Sequence, residues 1–127
     1  MPSTTGAARA IGDVLPELAG RLDGMAFRVP VACGSVIDLV CTLGRNVCAE
    51  EVNAAFDEIA AEARFDGVLA VTGVPMVSAD IIGRPQSCLF SACDTMTSGD
   101  RVKLLGWYDN EWGYANRLLE LAALIGR

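Results

Sequence analysis

The chain has 127 residues, 52% of them hydrophobic, with 13 glycines, 5 prolines and a net charge of −6. That length suggests one domain spanning the whole chain, able to bury roughly two thirds of the surface its unfolded form exposes, and the composition excludes disorder and low complexity. An acidic balance without a Lys/Arg cluster argues against nucleic acid as a partner. No apolar run approaches the ~20 residues of a membrane helix and no signal peptide is apparent, so a cytoplasmic protein is expected.

Thr5 to Leu18 reads as a helix, with Thr5 as its N-cap and Ile11, Val14, Leu15 and Leu18 on one face. Pro16 should end it, and Arg21 to Gly24 should turn the chain. Met25 to Pro30 and Ser35 to Leu43 read as strands, the second alternating so that Asp38 faces solvent or a basic partner. Ala49 to Ala63 has the clearest helical period, carried by Val52, Phe56, Ile59, Ala60 and Ala63. Glu50 and Glu51 suit its positive end, whereas Cys48 is a poor cap that could cost ~0.5–2 kcal/mol. Val68 to Thr72, Met76 to Ile81, Ser87 to Ala92 and Val102 to Trp107 read as further strands, punctuated by Gly/Pro turns. A last helix runs from about Glu111 to Ile125, with Leu118, Leu121, Ala122 and Ile125 expected toward the core. Strands separated by tight turns, rather than regular βα alternation, point to an α+β fold: an antiparallel or mixed sheet with helices packed on one face.

The five cysteines, Cys33, Cys41, Cys48, Cys88 and Cys93, form no C-x-x-C pair, and the chain has no histidine. An odd count without a signal peptide argues against a disulfide framework, and the ligand set argues against a structural zinc site, so no metal is expected. The missing histidine also removes the usual general base and every Ser-His or Cys-His arrangement. Each cysteine is read as a small packing residue.

The segment Trp107-Tyr108-Asp109-Asn110-Glu111-Trp112-Gly113-Tyr114-Ala115-Asn116-Arg117 closely resembles the W-Y-D-N-E-(W/F)-G-Y-(S/A)-N-R signature of phosphorylating glyceraldehyde-3-phosphate dehydrogenases. In the same order, Ser3 to Ala10 resembles that family's S-T-G-A-A-(K/R)-A, and Gly24 to Pro30 its G-M-(A/S)-(F/L)-R-V-P. Ser35 to Leu39 also fits. The resemblance covers essentially the whole chain but only about the last third of a full-length enzyme. It implies part of the catalytic domain, with the N-terminal NAD-binding domain absent, and Met1 falls where the family has a short apolar lead into this segment.

The family's reaction oxidises glyceraldehyde 3-phosphate through a thiohemiacetal on a cysteine, passes hydride to NAD, and cleaves the thioester with inorganic phosphate. The resemblance places the reacting groups outside this chain. The family's S-C-T-T-N-C motif is absent, its histidine base lies upstream, and no G-x-G-x-x-G follows a strand. Catalytic residues are therefore none. What the resemblance leaves is a set of holding residues. Thr5 and Gly6 resemble those that hold inorganic phosphate, which free N–H groups at a helix start attract. The competing reading is an ordinary cap. Arg28 resembles the arginine on the substrate's phosphate, which a planar guanidinium can grip with two bonds. The competing reading is a structural ion pair. Asn110 resembles the residue that hydrogen-bonds the nicotinamide carboxamide, and Tyr114 the tyrosine beside that ring. Glu111 is assigned to the helix start, and Trp107, Tyr108 and Trp112 to packing.

The chain departs from the family pattern at Ser91, at Cys33-Gly34 and at Cys48. Three readings follow: a fragment of an NAD-dependent oxidoreductase that an upstream piece could complement, a non-catalytic module that associates into homo- or hetero-oligomers, or a truncated product without activity.

Overall fold

Pro16 decides where the first helix stops. The computed structural model describes residues 1–126, apart from the side chains of Ala8 and Arg9. Helix α1 runs Ala7–Val14, and a single 3-10 turn, Pro16–Leu18, follows it. Leu15 leaves the helical region, as a residue before proline is pressed to do. The expected helix from Thr5 to Leu18 is therefore broken in two. Strands β1 (Pro2–Ser3) and β2 (Ala26–Phe27) pair antiparallel, Pro2 opposite Phe27 and Ser3 opposite Ala26. The second is much shorter than the expected Met25–Pro30. One more rung extends the ribbon: the Arg28 N–H donates to the Met1 carbonyl at 2.9 Å and the Met1 ammonium to the Arg28 carbonyl at 2.7 Å.

These elements make up one compact unit, Met1–Val31; the remainder, from Ala32, forms a second. No described residue of the first unit is fully buried.

The second unit is built on a mixed five-stranded sheet. Strands β3 (Ser35–Thr42), β4 (Leu69–Thr72), β5 (Cys88–Ser91), β6 (Met96–Ser98) and β7 (Arg101–Tyr108) are arranged in the order β3-β7-β5-β4, with β6 also on β7. Among the described strands only β4 and β5 run parallel. That single parallel pair is what makes the sheet mixed, and the fold is the expected α+β. Strand β6 is an addition to the sequence reading: Ser98 pairs with Arg101 across a two-residue turn of Gly99 and Asp100.

Helix α2 (Ala49–Ala60) solves the problem of its poor cap from inside. Glu51 reaches back to accept the Cys48 N–H at 2.9 Å and also pairs with Arg45 at 3.1 Å. The two contacts, the Cys48 N–H first, hold the Glu51 carboxyl below the usual range. Met76 to Ile81, expected as a strand, is instead irregular chain leading into a short helix, α3 (Ser78–Ile81). Asp80 accepts the Val77 N–H at 2.9 Å, a local side-chain cap that competes with strand pairing.

The core sits where β5 lies between β4 and β7. Ile81, Leu89, Phe90 and Val102 are buried, and Phe56 of α2 stacks on Phe90 with ring centroids 3.9 Å apart. Asn53 fixes the same helix to the chain after β5, donating to Ala92 O at 3.0 Å and accepting from Thr95 at 2.7 Å. Two glycines are required by this packing. Gly34 has φ +87°, and a Cβ there would lie 2.5 Å from Ile81 Cγ2. A Cβ on Gly106 would lie 2.8 Å from Cys88 Sγ. Cys88 thus occupies the space that β7 leaves open, and its burial pushes the thiol pKa up.

The last helix, α4 (Asn110–Ile125), corrects one expectation. Leu118, Leu121, Ala122 and Ile125 are exposed, not in the core. The helix packs through its first half, where Gly113 is buried against the Gln86 carbonyl and Arg117 donates to Gly67 O at 2.9 Å. Beyond Arg117 every described residue of α4 is exposed. Asp38 fulfils its expectation by pairing with Lys103 at 2.9 Å. No helix among the described residues is long and apolar enough to cross a membrane.

Candidate functional site

In the first unit, Gly6 rather than Thr5 takes the cap position of α1. Its carbonyl accepts from Ala10 N at 3.0 Å, and the Thr5 hydroxyl oxygen accepts from Ala7 N at 3.2 Å. Because that oxygen acts as the acceptor, its own proton stays available to donate. Gly6 is exposed, with nothing within 4 Å of where a Cβ would stand, so the approach to this helix start is open. Arg28 is exposed too, and among the described residues no carboxylate lies within ion-pair distance of it. The antiparallel register places Arg28 beside Met1, at the end of the β1–β2 ribbon opposite to the one that leads into Thr5. The two anion contacts read from the sequence are therefore separate places, not one cluster.

In the second unit, α4 is anchored by a residue the sequence reading did not single out. Asp109 is 5% exposed and caps the helix, accepting the Trp112 N–H at 2.9 Å with one oxygen and the Gly83 N–H at 2.9 Å with the other. Those two bonds, Trp112 first, hold its carboxyl below the usual range. An Asp immediately before an amphipathic run is a recognised cap signal and could have disclosed it. The cap makes Asn110 the first helical residue, with its side chain exposed. Tyr114 stands one turn later on the same face and is 69% exposed. Trp112, expected in packing, is exposed; Trp107 and Tyr108 are half-buried. Glu111 lies in the first turn, where it suits the helix dipole, but the capping falls to Asp109.

One cluster has no counterpart in the sequence reading. The ligand atoms of Cys33, Asp109 and Glu111 lie within 4.8 Å of one another. Desolvation, and then the Asp109 charge, raise the Cys33 pKa, so this thiol stays neutral and is a poor nucleophile. All five cysteines are free thiols; Cys33, Cys41 and Cys88 are half-buried, whereas Cys48 and Cys93 are exposed, so the packing role expected of every cysteine does not hold for these two.

The helix capped by Asp109 presents an amide and a phenol to solvent, and in the first unit the start of α1 is open. Comparison with known proteins supplies the particulars. The family model described as "Glyceraldehyde 3-phosphate dehydrogenase, C-terminal domain" matches residues 1–110. The chain is 56% identical over 126 residues to "Glyceraldehyde-3-phosphate dehydrogenase 2" of Streptomyces arenae, covering 99% of this chain and 37% of that protein. It is 53% identical to the glyceraldehyde-3-phosphate dehydrogenase of Streptomyces coelicolor, covering 99% of this chain and 38% of the relative. With that of Mycobacterium leprae it shares 48% identity over 127 residues, 37% of the relative's length. The chain belongs to the glyceraldehyde-3-phosphate dehydrogenase C-terminal domain family, and it spans less than two fifths of the length of these relatives.

Proposed function

We propose that this chain is the ligand-holding part of a phosphorylating, NAD-dependent glyceraldehyde-3-phosphate dehydrogenase of glycolysis, acting in the cytoplasm, and is inactive by itself. Residues 1–127 are read as part of its catalytic domain. Thr5 and Gly6 hold inorganic phosphate through the helix start and the free hydroxyl proton. Arg28 grips the phosphate of glyceraldehyde 3-phosphate with its guanidinium. Their positions at opposite ends of a ribbon suit two anions rather than one. Asn110 offers both a donor and an acceptor to a carboxamide, and Tyr114 lies on the same helix face. These exposed groups fit a nicotinamide, so Asn110 and Tyr114 are the residues that would hold it here. NAD, when bound, supplies the hydride acceptor for making 1,3-bisphosphoglycerate. The thiolate and the base have no candidate in the chain, which has no histidine and whose Cys33 and Cys88 are held as thiols.

The observation that carries this reading is the availability of its polar groups: among the described residues no carboxylate pairs with Arg28, Thr5 keeps a proton to donate, and Asn110 is exposed. The test is complementation. The chain is mixed with a separately made upstream part of the Streptomyces arenae relative, and NADH formation is followed with substrate and phosphate. A phosphate-dependent rate, weakened by Arg28→Ala chiefly through KM for the substrate, is the expected result. No rate above that of the upstream part alone would sink the proposal.

A second reading, association without catalysis, is favoured by a specific observation: Val36, Ile37, Leu39 and Val40 of β3 and Leu118, Leu119, Leu121, Leu124 and Ile125 of α4 are exposed. Apolar surface of this kind promotes pairing with other chains.

A further inference from the structure

The first turn of α4 rests on one short stretch of chain, residues 83–86, between α3 and β5. Asp109 uses its two carboxylate oxygens for different tasks. One accepts the Trp112 N–H inside the helix at 2.9 Å, and the other accepts the Gly83 N–H outside it at 2.9 Å. One turn further on, Gly113 lies so close to the same stretch that a Cβ would stand 3.2 Å from the Gln86 carbonyl oxygen. Neither the Gly83 bond nor the glycine serves the helix as a helix. A cap needs only the Trp112 bond, which serine supplies as well, and glycine is a poorer helix former than alanine. What both features do is fix the helix start against residues 83–86. That stretch is itself stiff. Gly83 holds φ +75°, a conformation open to glycine, and Pro85 has a fixed φ. On one side of it Ile81 is fully buried and its carbonyl accepts the Arg84 N–H at 3.0 Å; on the other, Ser87 N–H donates to Val68 O at 2.8 Å.

Asn110 opens α4 between these two supports, with its side chain exposed. The reach of such a side chain is set by the backbone beneath it. We infer that Asp109 is a positioning residue: through Gly83 it fixes where α4 starts, with Gly113 as the second support, and so sets the reach of Asn110 toward a nicotinamide carboxamide. The inference rests on the proposed role of Asn110 and adds to it residues that need not touch the cofactor. A carboxamide has a donor and an acceptor to be met together, and hydrogen bonds weaken steeply as their geometry degrades.

The test is the complementation assay, with KM measured for NAD, for glyceraldehyde 3-phosphate and for phosphate. Asn110→Ala sets the scale. Asp109→Ser keeps a cap for Trp112 but has no second oxygen for Gly83. Gly113→Ala favours the helix but sets a methyl against the Gln86 carbonyl. Each of these two variants should raise KM for NAD by roughly 3- to 10-fold, the worth of one hydrogen bond, with KM for substrate and phosphate unchanged. Helix content by circular dichroism should stay at the native level. If both variants keep the native KM for NAD while Asn110→Ala raises it, Asp109 is a cap and nothing more, and the inference falls while the role of Asn110 stands. If Asn110→Ala leaves that KM unchanged, the role of Asn110 falls and the inference with it. Nuclear magnetic resonance of the 127-residue chain decides where complementation gives no rate. In Asp109→Ser the Gly83 amide should lose protection from hydrogen exchange while Trp112 keeps it, and the Asn110 side-chain amide resonance should move. An Asn110 resonance that stays in place when Gly83 is released would overturn the inference.

Discussion

The two compact units of this chain differ in what holds them. Met1–Val31 carries the proposed anion contacts on a three-rung ribbon, one short helix and a 3-10 turn, without a fully buried residue among those described. The unit from Ala32 onward contains every fully buried side chain among the described residues and a five-stranded sheet, and it presents Asn110 and Tyr114 from a helix capped by a buried carboxylate. The difference teaches that the residues proposed to hold ligands need not share a means of support. Asn110 is positioned by a core, whereas Arg28 is positioned by backbone pairing alone.

Substitutions can sharpen or break this contrast. Phe90→Ala, which removes a ring 2% exposed and stacked on Phe56, should cost about 3–5 kcal/mol in denaturant unfolding. Gly34→Ala should cost about 1–3 kcal/mol, since the new methyl meets Ile81 and the backbone stays at φ +87°. Asp109→Ala should cost about 1–2 kcal/mol at neutral pH by removing a cap that satisfies two N–H groups. Ile11→Ala, in the first unit, should lie within about 0.5 kcal/mol of the native chain. If Ile11→Ala proved as costly as Phe90→Ala, the contrast between the units would be wrong.

Asp109 also sets a pH dependence. Its folded pKa is lowered, so its contribution is fully present above the ordinary carboxylate pKa near ~3.9 and is lost as pH falls through the lower folded value. Glu51 has the same sign and, being exposed, a smaller effect. Thermal melts of Asp109→Asn should therefore show a shallower acid limb than the native chain. An identical acid limb would remove Asp109 from the account.

The elements were legible where local chemistry and periodicity agree. Strand β3 and helix α2 fall within a few residues of their expected spans, because alternation in one and Val52, Phe56 and Ile59 in the other are unambiguous. Met76–Ile81 misled because its apolar run imitates a strand, while the deciding interaction is a single bond from Val77 N to Asp80. The exposed end of α4 misled because helical periodicity marks an apolar face without saying what covers it. At the candidate site, Thr5, Gly6, Arg28, Asn110 and Tyr114 were visible only through family motifs. Asp109 had a physical signal in its position before the helix. Its neighbour Cys33 had none, since the two meet only when Gly34 turns the chain and packs on Ile81.

The central claim is that this chain holds ligands but does not react with them. It is tested most directly by incubating the purified 127-residue chain alone with glyceraldehyde 3-phosphate, inorganic phosphate and NAD, and recording absorbance from NADH. The account predicts no phosphate-dependent NADH formation, for the native chain and for a variant with all five cysteines replaced alike. Turnover by the native chain that is lost on replacing one cysteine would show a nucleophile among thiols to which no reaction is assigned. Turnover that survives replacement of all five would contradict the mechanism altogether.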